Sequence, residues 1–304
     1  MTNHFVTMTN TNPCDDRPRI GLLAAWGRYP LAVAKALRED GFHTCCLGVK
    51  DYADPALAQL CDDFAWVGVA RCGAAVRWFK RHHVQQATMA GKLHKVGLFQ
   101  RRAWLRNLPD WTTLKAFYPH FVSGATDRKD DTLLLTVVDT FAQHGIEFLP
   151  ATDFAPELLV KPGCLAGGSL SLTEQADVEF GWEVAKQLGA IDIGQSVCVK
   201  GRAVLAVEAI EGTDHCIARA GQLCPQGGFT VVKVAKPQQD MRFDVPTVGV
   251  GTLETMSRSG AKVLAVEGEN TILLESADFC AFAAQQHLKV IAIGDPPRRL
   301  RAAS

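Results

Sequence analysis

The first half of the chain alternates apolar runs with helical segments, and this alternation limits the fold more than any other feature of the sequence. The apolar runs, each short enough for one strand, lie at 20–25, 43–49, 64–69, 86–90 and 147–149. The helical patterns between them lie at 30–40, 55–60, 74–81 and 132–144. Strands that alternate with helices at this spacing predict a parallel sheet covered by helices. We therefore predict a doubly wound α/β domain.

The pattern changes after Pro150. A stretch rich in Gly, Pro and Ser, 161–171, predicts a loop or linker, and a helix is expected at 174–188. Strands are then predicted at 196–200, 203–210 and 229–236, followed by α/β elements at 252–260, 263–266, 271–274, 278–286 and 290–293. We predict a disordered leader over 1–18, a first domain over 19–152, a second over 153–295 and a tail over 296–304.

Composition excludes several classes of protein. The chain has 32 basic and 32 acidic residues, so nothing favours extensive nucleic-acid binding. No apolar run reaches the roughly 18 residues that span a bilayer, and the start of the chain lacks the apolar core of a signal peptide. The ten cysteines include no Cys-x-x-Cys pair, which favours reduced core thiols over a zinc site. We expect a cytoplasmic protein.

Two glycine-containing turns follow predicted strands of the first domain. Gly27 lies between the first strand and its helix, and Gly91 ends the fourth strand. Ligands of open α/β sheets bind beyond the carboxyl ends of strands, where a helix N-terminus attracts anions. The three-glycine dinucleotide motif is absent, and Val49-Lys50 stand at the end of the second strand before Asp51, which argues against a nicotinamide-dependent oxidoreductase. Ordinary turns remain the alternative at both glycines.

Acidic and basic residues are concentrated after two predicted strands of the second half. Glu208 lies in the strand predicted at 203–210, and Glu211-Gly212-Thr213-Asp214 follow it directly. The expected neighbouring strand carries Lys233 and Lys236, and Asp240, Arg242 and Asp244 come next. Carboxylates suit Mg²⁺ or Mn²⁺, and Arg and Lys suit phosphate, so a site for a metal and a diphosphate is one interpretation. A surface network of salt bridges, with Thr213 and Asp214 as helix caps, is the other.

Several of these segments resemble the LpxI family. The closest similarity lies in 205–214, Lys236-Pro237 and 242–249, and 188–195, Met89-Ala90-Gly91 and 130–134 also fit. The similarity extends over about 19–295. It implies a Rossmann-like N-terminal domain, a family-specific mixed α/β C-terminal domain and a homodimer. It also implies the hydrolysis of UDP-2,3-diacylglucosamine to lipid X and UMP in lipid A biosynthesis, with Mg²⁺ or Mn²⁺ as cofactor.

The resemblance also implies roles for individual residues. The catalytic candidates are Asp244, as metal ligand or as the carboxylate that orients water, together with Asp240 and Arg242. The candidate metal ligands are Glu208, Glu211, Asp214 and Asp244. The candidate substrate-binding residues are Gly27, Gly91, Gln195, Thr213 and Lys236. The chain departs from the family at Ala25 and Trp26, where extra glycines are common, and at Lys95-Val96.

Two further expectations concern partners. A substrate with two acyl chains requires an apolar groove, and peripheral contact with the inner membrane is expected. The segment 98–118, which includes Phe99, Trp104, Trp111 and Phe117, is a candidate for that surface, with an ordinary core-facing helix as the alternative. A nucleotide-sugar-binding regulator without catalysis is the second functional hypothesis.

Overall fold

A computed structural model describes residues 8–9, 16–92, 108–121 and 130–294, which form two units, each around its own six-stranded sheet. Unit 1 contains the described residues up to Pro156 and also Asp240–Asp244. Unit 2 contains Glu157–Gln239 and the described residues from Val245 onward. The chain therefore returns to unit 1 for five residues before it completes unit 2.

Unit 1 has the strand and helix alternation that the sequence predicts. Its strands are β1 (Met8–Thr9), β2 (Arg19–Ala24), β3 (His43–Val49), β4 (Asp63–Val67), β5 (Gln86–Ala90) and β6 (Glu147–Phe148). Its helices are α1 (Tyr29–Glu39), α2 (Leu57–Leu60), α3 (Cys72–Arg81), α4 (Trp111–Phe121) and α5 (Asp130–Ala142). A short 3-10 helix, Ala151–Asp153, follows β6.

The sheet of unit 1 has the order β1-β4-β3-β2-β5-β6. All neighbouring strands from β4 to β6 are parallel, and only β1 is antiparallel to its neighbour. From β2 the chain builds outward through β3 and β4, then crosses to the other side of β2 to form β5. The carboxyl ends of β2 and β5 therefore flank the point where the strand order reverses, which is where ligands bind in open α/β sheets.

The core of unit 1 explains why these segments are strands and helices. Every residue of β3 is buried, as expected for a central parallel strand covered on both faces. Phe79 of α3 and Phe141 of α5 are fully buried, and their rings lie 6.0 Å apart. Within 1–18, where the sequence predicts a disordered leader, Met8–Thr9 instead pair with Phe64 and Asp63 of β4. This pairing covers part of an otherwise open sheet edge.

Unit 2 is a mixed α/β structure. Its strands are β7 (Gly163–Ala166), β8 (Ser196–Lys200), β9 (Ala203–Val207), β10 (Phe229–Lys233), β11 (Thr247–Val248), β12 (Ala261–Glu267), β13 (Ile272–Leu273) and β14 (Lys289–Ile293). Its helices are α6 (Leu172–Ala190), α7 (Thr213–Leu223), α8 (Val250–Ser259) and α9 (Ser276–Gln285). The main sheet has the order β7-β14-β12-β10-β8-β9, and β11 pairs with β13.

Two predictions about strands of unit 2 are wrong. The predicted loop at 161–171 contains β7, which pairs antiparallel with β14 despite its glycine. The strand predicted at 203–210 ends at Val207, and it is not next to β10, because a tight turn at Gly201-Arg202 folds β9 back onto β8. Since both β9 and β10 are antiparallel to β8, their carboxyl ends still reach the same edge of the sheet.

No helix among the described residues is long and apolar enough to cross a membrane. The nine cysteines that the structure describes are all free thiols, six of them buried. Cys198, Cys216 and Cys224 belong to the core between the unit 2 sheet and its helices. They fill space as small apolar side chains.

Candidate active site

Two loops meet at the switch point of the unit 1 sheet. Trp26, after β2, exchanges backbone hydrogen bonds with Lys92, after β5, at 3.1 and 2.9 Å. A Cβ atom on Gly91 would lie 2.7 Å from the carbonyl carbon of Ala25, so only glycine allows this approach. Gly27 also has a positive φ, +110°, but a Cβ there would meet nothing within 4 Å. Gly91 is thus explained by the joining of the loops, whereas Gly27 leaves open space above the sheet.

The helices beside these loops differ in how their N-termini are capped. The N-terminus of α3 is occupied by the protein itself, because Ala74 N donates to Asp110 Oδ2 (2.8 Å) and Cys72 N to Thr113 Oγ1 (2.9 Å). Burial opposes ionisation of Asp110, but hydrogen bonds from Thr113 and the α3 backbone outweigh it and lower the pKa of this carboxyl group. At the start of α1, no side chain makes a capping hydrogen bond and the first turn holds no acid. The N-terminus of α1 thus keeps the backbone donors that attract an anion.

Asp240 and Arg242 form one ion pair in unit 1. Asp240 Oδ2 accepts from Arg242 Nη2 (2.6 Å), and Oδ1 accepts from Nε (2.9 Å) and from the backbone N–H of Arg242 (3.0 Å). These hydrogen bonds lower the pKa of Asp240 and raise that of Arg242. A carboxylate held in this way cannot also orient water with the same lone pairs. The geometry therefore makes Asp240 the residue that positions Arg242, whose guanidinium has three further N–H groups.

Phe243 explains why this segment belongs to unit 1. Its side chain packs against the core cluster formed by β3, β4, α3 and α5. Asp244 follows in the same turn, is half-buried, and donates its backbone N–H to Asp240 O at 3.0 Å. The predicted catalytic residues Asp240, Arg242 and Asp244 thus lie in one segment of five residues, and Phe243 anchors this segment in the apolar core of unit 1.

In unit 2, the predicted residues Glu208 and Thr213 join a buried polar network at the sheet edge where β9 and β10 end. Thr213 Oγ1 donates to Glu208 Oε1 at 2.9 Å and accepts from Lys233 Nζ at 3.0 Å. Ser196 Oγ lies 3.4 Å from the same hydroxyl oxygen. Lys233 also donates to the carbonyl of Thr247 at 3.0 Å. Lys233 is only 2% exposed, which is rare for lysine unless it has partners.

The network corrects the role predicted for Thr213. A hydroxyl group has one proton and two lone pairs, and here the proton goes to Glu208 while Lys233 and Ser196 approach the oxygen. Thr213 therefore has no proton left for a phosphate oxygen, and it supports Glu208 instead. The sequence analysis counts Lys233 among the basic residues that suit phosphate but gives it no place among the site residues. The available signal was a lysine that ends the mostly apolar strand Phe-Thr-Val-Val-Lys.

Gln195 directly precedes Ser196, at the start of β8, and its backbone carbonyl accepts from Val234 N. A Cβ on Gly194 would lie 2.1 Å from the carbonyl oxygen of Glu208, so glycine is required for this close backbone approach. Glu208 N donates to Ser196 O at 2.8 Å, which fixes the two chain segments in register. Because side chains alternate along a strand, Gln195 lies on the face of Val197 and Val234, opposite the face that carries Ser196 and the buried network.

The other predicted residues of unit 2 have different partners. Glu211 accepts from Arg219 Nη2 at 2.6 Å; burial opposes its ionisation, but backbone hydrogen bonds and Arg219 lower its pKa. Asp214 is exposed in the first turn of α7, where the helix dipole stabilises a negative charge. Lys236 Nζ donates to Asp192 Oδ1 at 2.8 Å.

These contacts test the predicted metal site of unit 2. The ligand atoms of Glu208, Glu211 and Asp214 do not gather within 4.8 Å of one another, although all three residues lie in the described part of the chain. Glu208 is tied through Thr213 to a lysine, and Glu211 is paired with an arginine. The three acids of unit 2 therefore do not fit a shared divalent cation.

One group with metal-ligand chemistry does occur in the described residues, at the opposite end of the unit 1 sheet. His43 Nε2 lies 2.8 Å from Asp63 Oδ2, and Cys45 Sγ lies 3.7 Å from the same oxygen. Burial, and then Asp63, raise the pKa of the Cys45 thiol to about 12, so it stays protonated. Metals bind the thiolate form, and Arg19 lies 3.7 Å from Asp63, so the group is a buried ion-pair cluster.

Residues 98–107 of the predicted acyl-chain segment, which include Phe99 and Trp104, lie outside the described residues, which resume at Leu108. Within α4, Phe117 packs against the unit 1 core, whereas Trp111 is 78% exposed. Leu114 and Tyr118 are also exposed on this helix. Core packing and exposed apolar surface thus both occur in the segment, on different residues.

Comparisons with known proteins agree with this architecture. A family model described as the LpxI N-terminal domain matches residues 19–158, and one described as the LpxI C-terminal domain matches residues 161–291. The protein named UDP-2,3-diacylglucosamine pyrophosphatase LpxI of Caulobacter vibrioides is 28% identical over 288 residues, which cover 92% of this chain and 99% of the relative. The N-terminal model matches the first half of the chain and the C-terminal model the second half. Because the two matches together cover most of the chain, it belongs to the LpxI family.

Proposed function

We propose that this chain hydrolyses the diphosphate of UDP-2,3-diacylglucosamine, which gives lipid X and UMP in lipid A biosynthesis. The observation that carries the proposal is the similarity over 99% of the length of the Caulobacter pyrophosphatase. The similarity therefore includes the residues of both units that bear the polar sites. The second functional hypothesis, a nucleotide-sugar-binding regulator without catalysis, is an outcome of the test below.

The Asp240–Arg242 pair supports a role in phosphate binding. Arginine binds phosphate through parallel N–H groups, and Asp240 holds the guanidinium in one orientation. Negative charge grows on the phosphoryl oxygens as water attacks a diphosphate, so a fixed cation beside them stabilises the transition state. Asp244, two residues on, is the carboxylate that we assign to orient the attacking water or to bind a metal.

The nucleotide half of the substrate is proposed to bind at the switch point of unit 1. Gly27 leaves open space there, and the uncapped N-terminus of α1 favours a phosphate group. Gly91 contributes by joining the two loops. In unit 2, Lys236 Nζ is paired with Asp192 Oδ1, and its role in substrate binding stays a prediction of the resemblance.

Dependence on Mg²⁺ or Mn²⁺ is part of the proposal. When bound, a divalent cation neutralises charge on the diphosphate and lowers the pKa of coordinated water. The acids of unit 2 do not fit such an ion, so Asp244 is the carboxylate of the predicted set that we assign to it. Substrate oxygens and water would complete its coordination, as is usual for Mg²⁺.

Assembly and location are proposed from family membership and, for membrane contact, from one exposed side chain. We propose a homodimer that works in the cytoplasm and makes peripheral contact with the inner membrane, where a diacylated substrate resides. The exposed Trp111 on α4 supports such contact, since tryptophan favours the membrane interface.

The decisive experiment measures UMP release from UDP-2,3-diacylglucosamine in detergent micelles. The purified chain is assayed with Mg²⁺, with Mn²⁺ and with EDTA, beside Asp244→Asn and the exposed control Asp153→Asn. We expect metal-dependent release that falls at least a hundredfold in Asp244→Asn and stays unchanged in Asp153→Asn. Saturable binding of the substrate with no UMP release under any metal condition would instead establish the regulator.

A further inference from the structure

The two loops at the switch point of unit 1 place an aromatic ring and a cation side by side. Trp26 and Lys92 exchange both of their backbone hydrogen bonds, at 3.1 and 2.9 Å, and so form an isolated antiparallel bridge. In a pair of this kind the Cα atoms lie about 5.5 Å apart, and both side chains leave the same face of the backbone. The indole ring and the ammonium group therefore start from one face of the joined loops.

Both side chains are accessible to a ligand. Trp26 is 51% exposed, which leaves a large apolar ring partly in water, and Lys92 is exposed as well. Among the residues that the structure describes, Lys92 has no carboxylate partner. An indole ring is stabilised when a flat ring covers it, and an ammonium group is stabilised when an anion approaches. The pair thus suits a ligand that carries a planar ring and a negative charge.

The backbone holds both residues in place before any ligand binds. Ala25 N donates to Ala90 O at 2.8 Å, directly before the bridge. A Cβ on Gly91 would lie 2.7 Å from the carbonyl carbon of Ala25, so the two loops pack backbone against backbone. A binding group whose backbone is already fixed loses less conformational entropy when a ligand arrives. The bridge is therefore a rigid base for the two side chains.

The surroundings of the bridge favour a phosphate group. Gly27 follows Trp26, and a Cβ there would meet nothing within 4 Å, so the backbone is open to a ligand. The helix α1 begins two residues later without a capping side chain, and its first turn holds no acid. Its backbone donors add to the positive charge of Lys92. A planar ring, a cation and helix donors at one place match the base and the phosphate of a nucleotide.

We propose that Trp26 stacks on the uracil ring of the substrate and that Lys92 pairs with the phosphate group next to the ribose. This inference rests on the proposed function, because it takes its ligand from the uridine monophosphate part of the sugar nucleotide. The contacts proposed for that part are all in unit 1, and no covalent bond changes when it binds. The LpxI family commonly has extra glycines where this chain has Ala25 and Trp26, so the stacked ring is a feature of this chain.

The experiment measures the binding of UMP and of ribose 5-phosphate, which has the same sugar and phosphate but no base. The proteins are wild type, Trp26→Ala, Trp26→Phe, Lys92→Met and the control Lys115→Met, which changes an exposed lysine on α4. Affinity is measured by calorimetry at low and at high salt, and tryptophan fluorescence is recorded during each titration. Thermal unfolding reports whether each variant is folded.

We expect wild type and Lys115→Met to bind UMP roughly fivefold to a hundredfold more tightly than ribose 5-phosphate, the range for a base stacked on an aromatic ring. Trp26→Ala should lose this preference, and Trp26→Phe should keep part of it. UMP should quench the fluorescence of wild type, and this quenching should be absent in Trp26→Phe although UMP still binds. Lys92→Met should bind UMP roughly twofold to fivefold more weakly, with a smaller dependence on salt.

Each of four results would overturn the proposed pair. They are no detectable binding of UMP by wild type, equal binding of UMP and ribose 5-phosphate, unchanged or tighter binding of UMP by Trp26→Ala, and an effect of Lys92→Met no larger than that of Lys115→Met. Normal UMP release beside any of these results would leave the proposed hydrolysis in place. UMP binding through Trp26 and Lys92, without UMP release from UDP-2,3-diacylglucosamine, would contradict the hydrolysis and leave the pair in place.

Discussion

The two units hold their charged site residues in opposite ways. In unit 1, Asp240 and Arg242 lie two residues apart in sequence and pair within one turn, with both side chains partly in water. In unit 2, Glu208, Thr213 and Lys233 come from the end of one strand, the start of a helix and the end of another strand, and all are buried. The first arrangement is local and screened by solvent, whereas the second exists only when the whole sheet has formed.

This contrast has an energetic consequence. An exposed or half-exposed ion pair contributes little to stability, because water already solvates both charges. Removing one partner of a buried charged network leaves the other charge unpaired in a poor solvent, which is expensive. Substitutions in unit 2 should therefore affect unfolding, whereas substitutions in the unit 1 pair should affect substrate handling. The following predictions are ordered by the expected change in stability.

Lys233→Met should produce the largest effect. The change leaves the buried Glu208–Thr213 pair without its cation, and we expect the free energy of unfolding to fall by about 3–5 kcal/mol. Chemical denaturation should be compared with Lys262→Met, an exposed lysine on β12 of the same unit. If the free energy of unfolding fell by less than about 1 kcal/mol, the buried network of unit 2 would contribute no more to stability than the exposed pair of unit 1.

Thr213→Val should come next. Valine keeps the shape of threonine but removes the hydroxyl that donates to Glu208 and accepts from Lys233. We expect a loss of about 2–3 kcal/mol in the free energy of unfolding, because two buried polar groups lose a partner. In the Lys233→Met background the further loss should be clearly smaller, since the two residues act in one network. Additive losses would show that they act independently.

Asp110→Ala tests whether unit 1 also has a polar contact that matters for stability. Asp110 accepts from Ala74 N on α3 and from Thr113 N on α4, so the alanine variant removes a capping contact from two helices. We expect a loss of about 1–2 kcal/mol, measured by thermal unfolding. The exposed control Asp54→Ala also removes a side chain that accepts a backbone N–H, in a short turn, and should cost less.

Asp240→Asn should have the smallest effect on stability, at most about 1 kcal/mol, because the pair is partly exposed. Its dependence on pH has a definite sign. Arg242 lowers the pKa of Asp240 in the folded protein, so the advantage of wild type over the variant should be complete above about pH 3.9 and decrease as the pH falls further. Thermal unfolding from pH 7 to pH 2 measures this difference in stability between wild type and Asp240→Asn. UMP release at neutral pH should fall at least tenfold, since Arg242 loses its fixed orientation.

The alternation of strands and helices was readable from the sequence because each element has its own local pattern. The bounds of β3, β5 and β8 agree with the prediction to the residue, since a turn with a positive φ at Asp51, Gly91 or Gly201 follows each strand directly or after one residue. Two features were misread. The strand β7 was hidden in a glycine-rich stretch, and the strand predicted at 203–210 continues past its true end because Ala209 and Ile210 remain apolar outside the sheet. Local composition cannot show where a strand loses its neighbour.

For the site, the sequence by itself determined which residue types stand together along the chain: the Glu-Gly-Thr-Asp turn, the Arg-Phe-Asp motif, and the family that both indicate. Only the tertiary structure decided which of them meet. Packing of Phe243 brings Asp240–Asp244 into unit 1, and antiparallel pairing about β8 brings Lys233 to Thr213. The reason is physical, because a sequence motif records neighbours along one chain, whereas burial and hydrogen bonding depend on segments that only the complete sheet brings together.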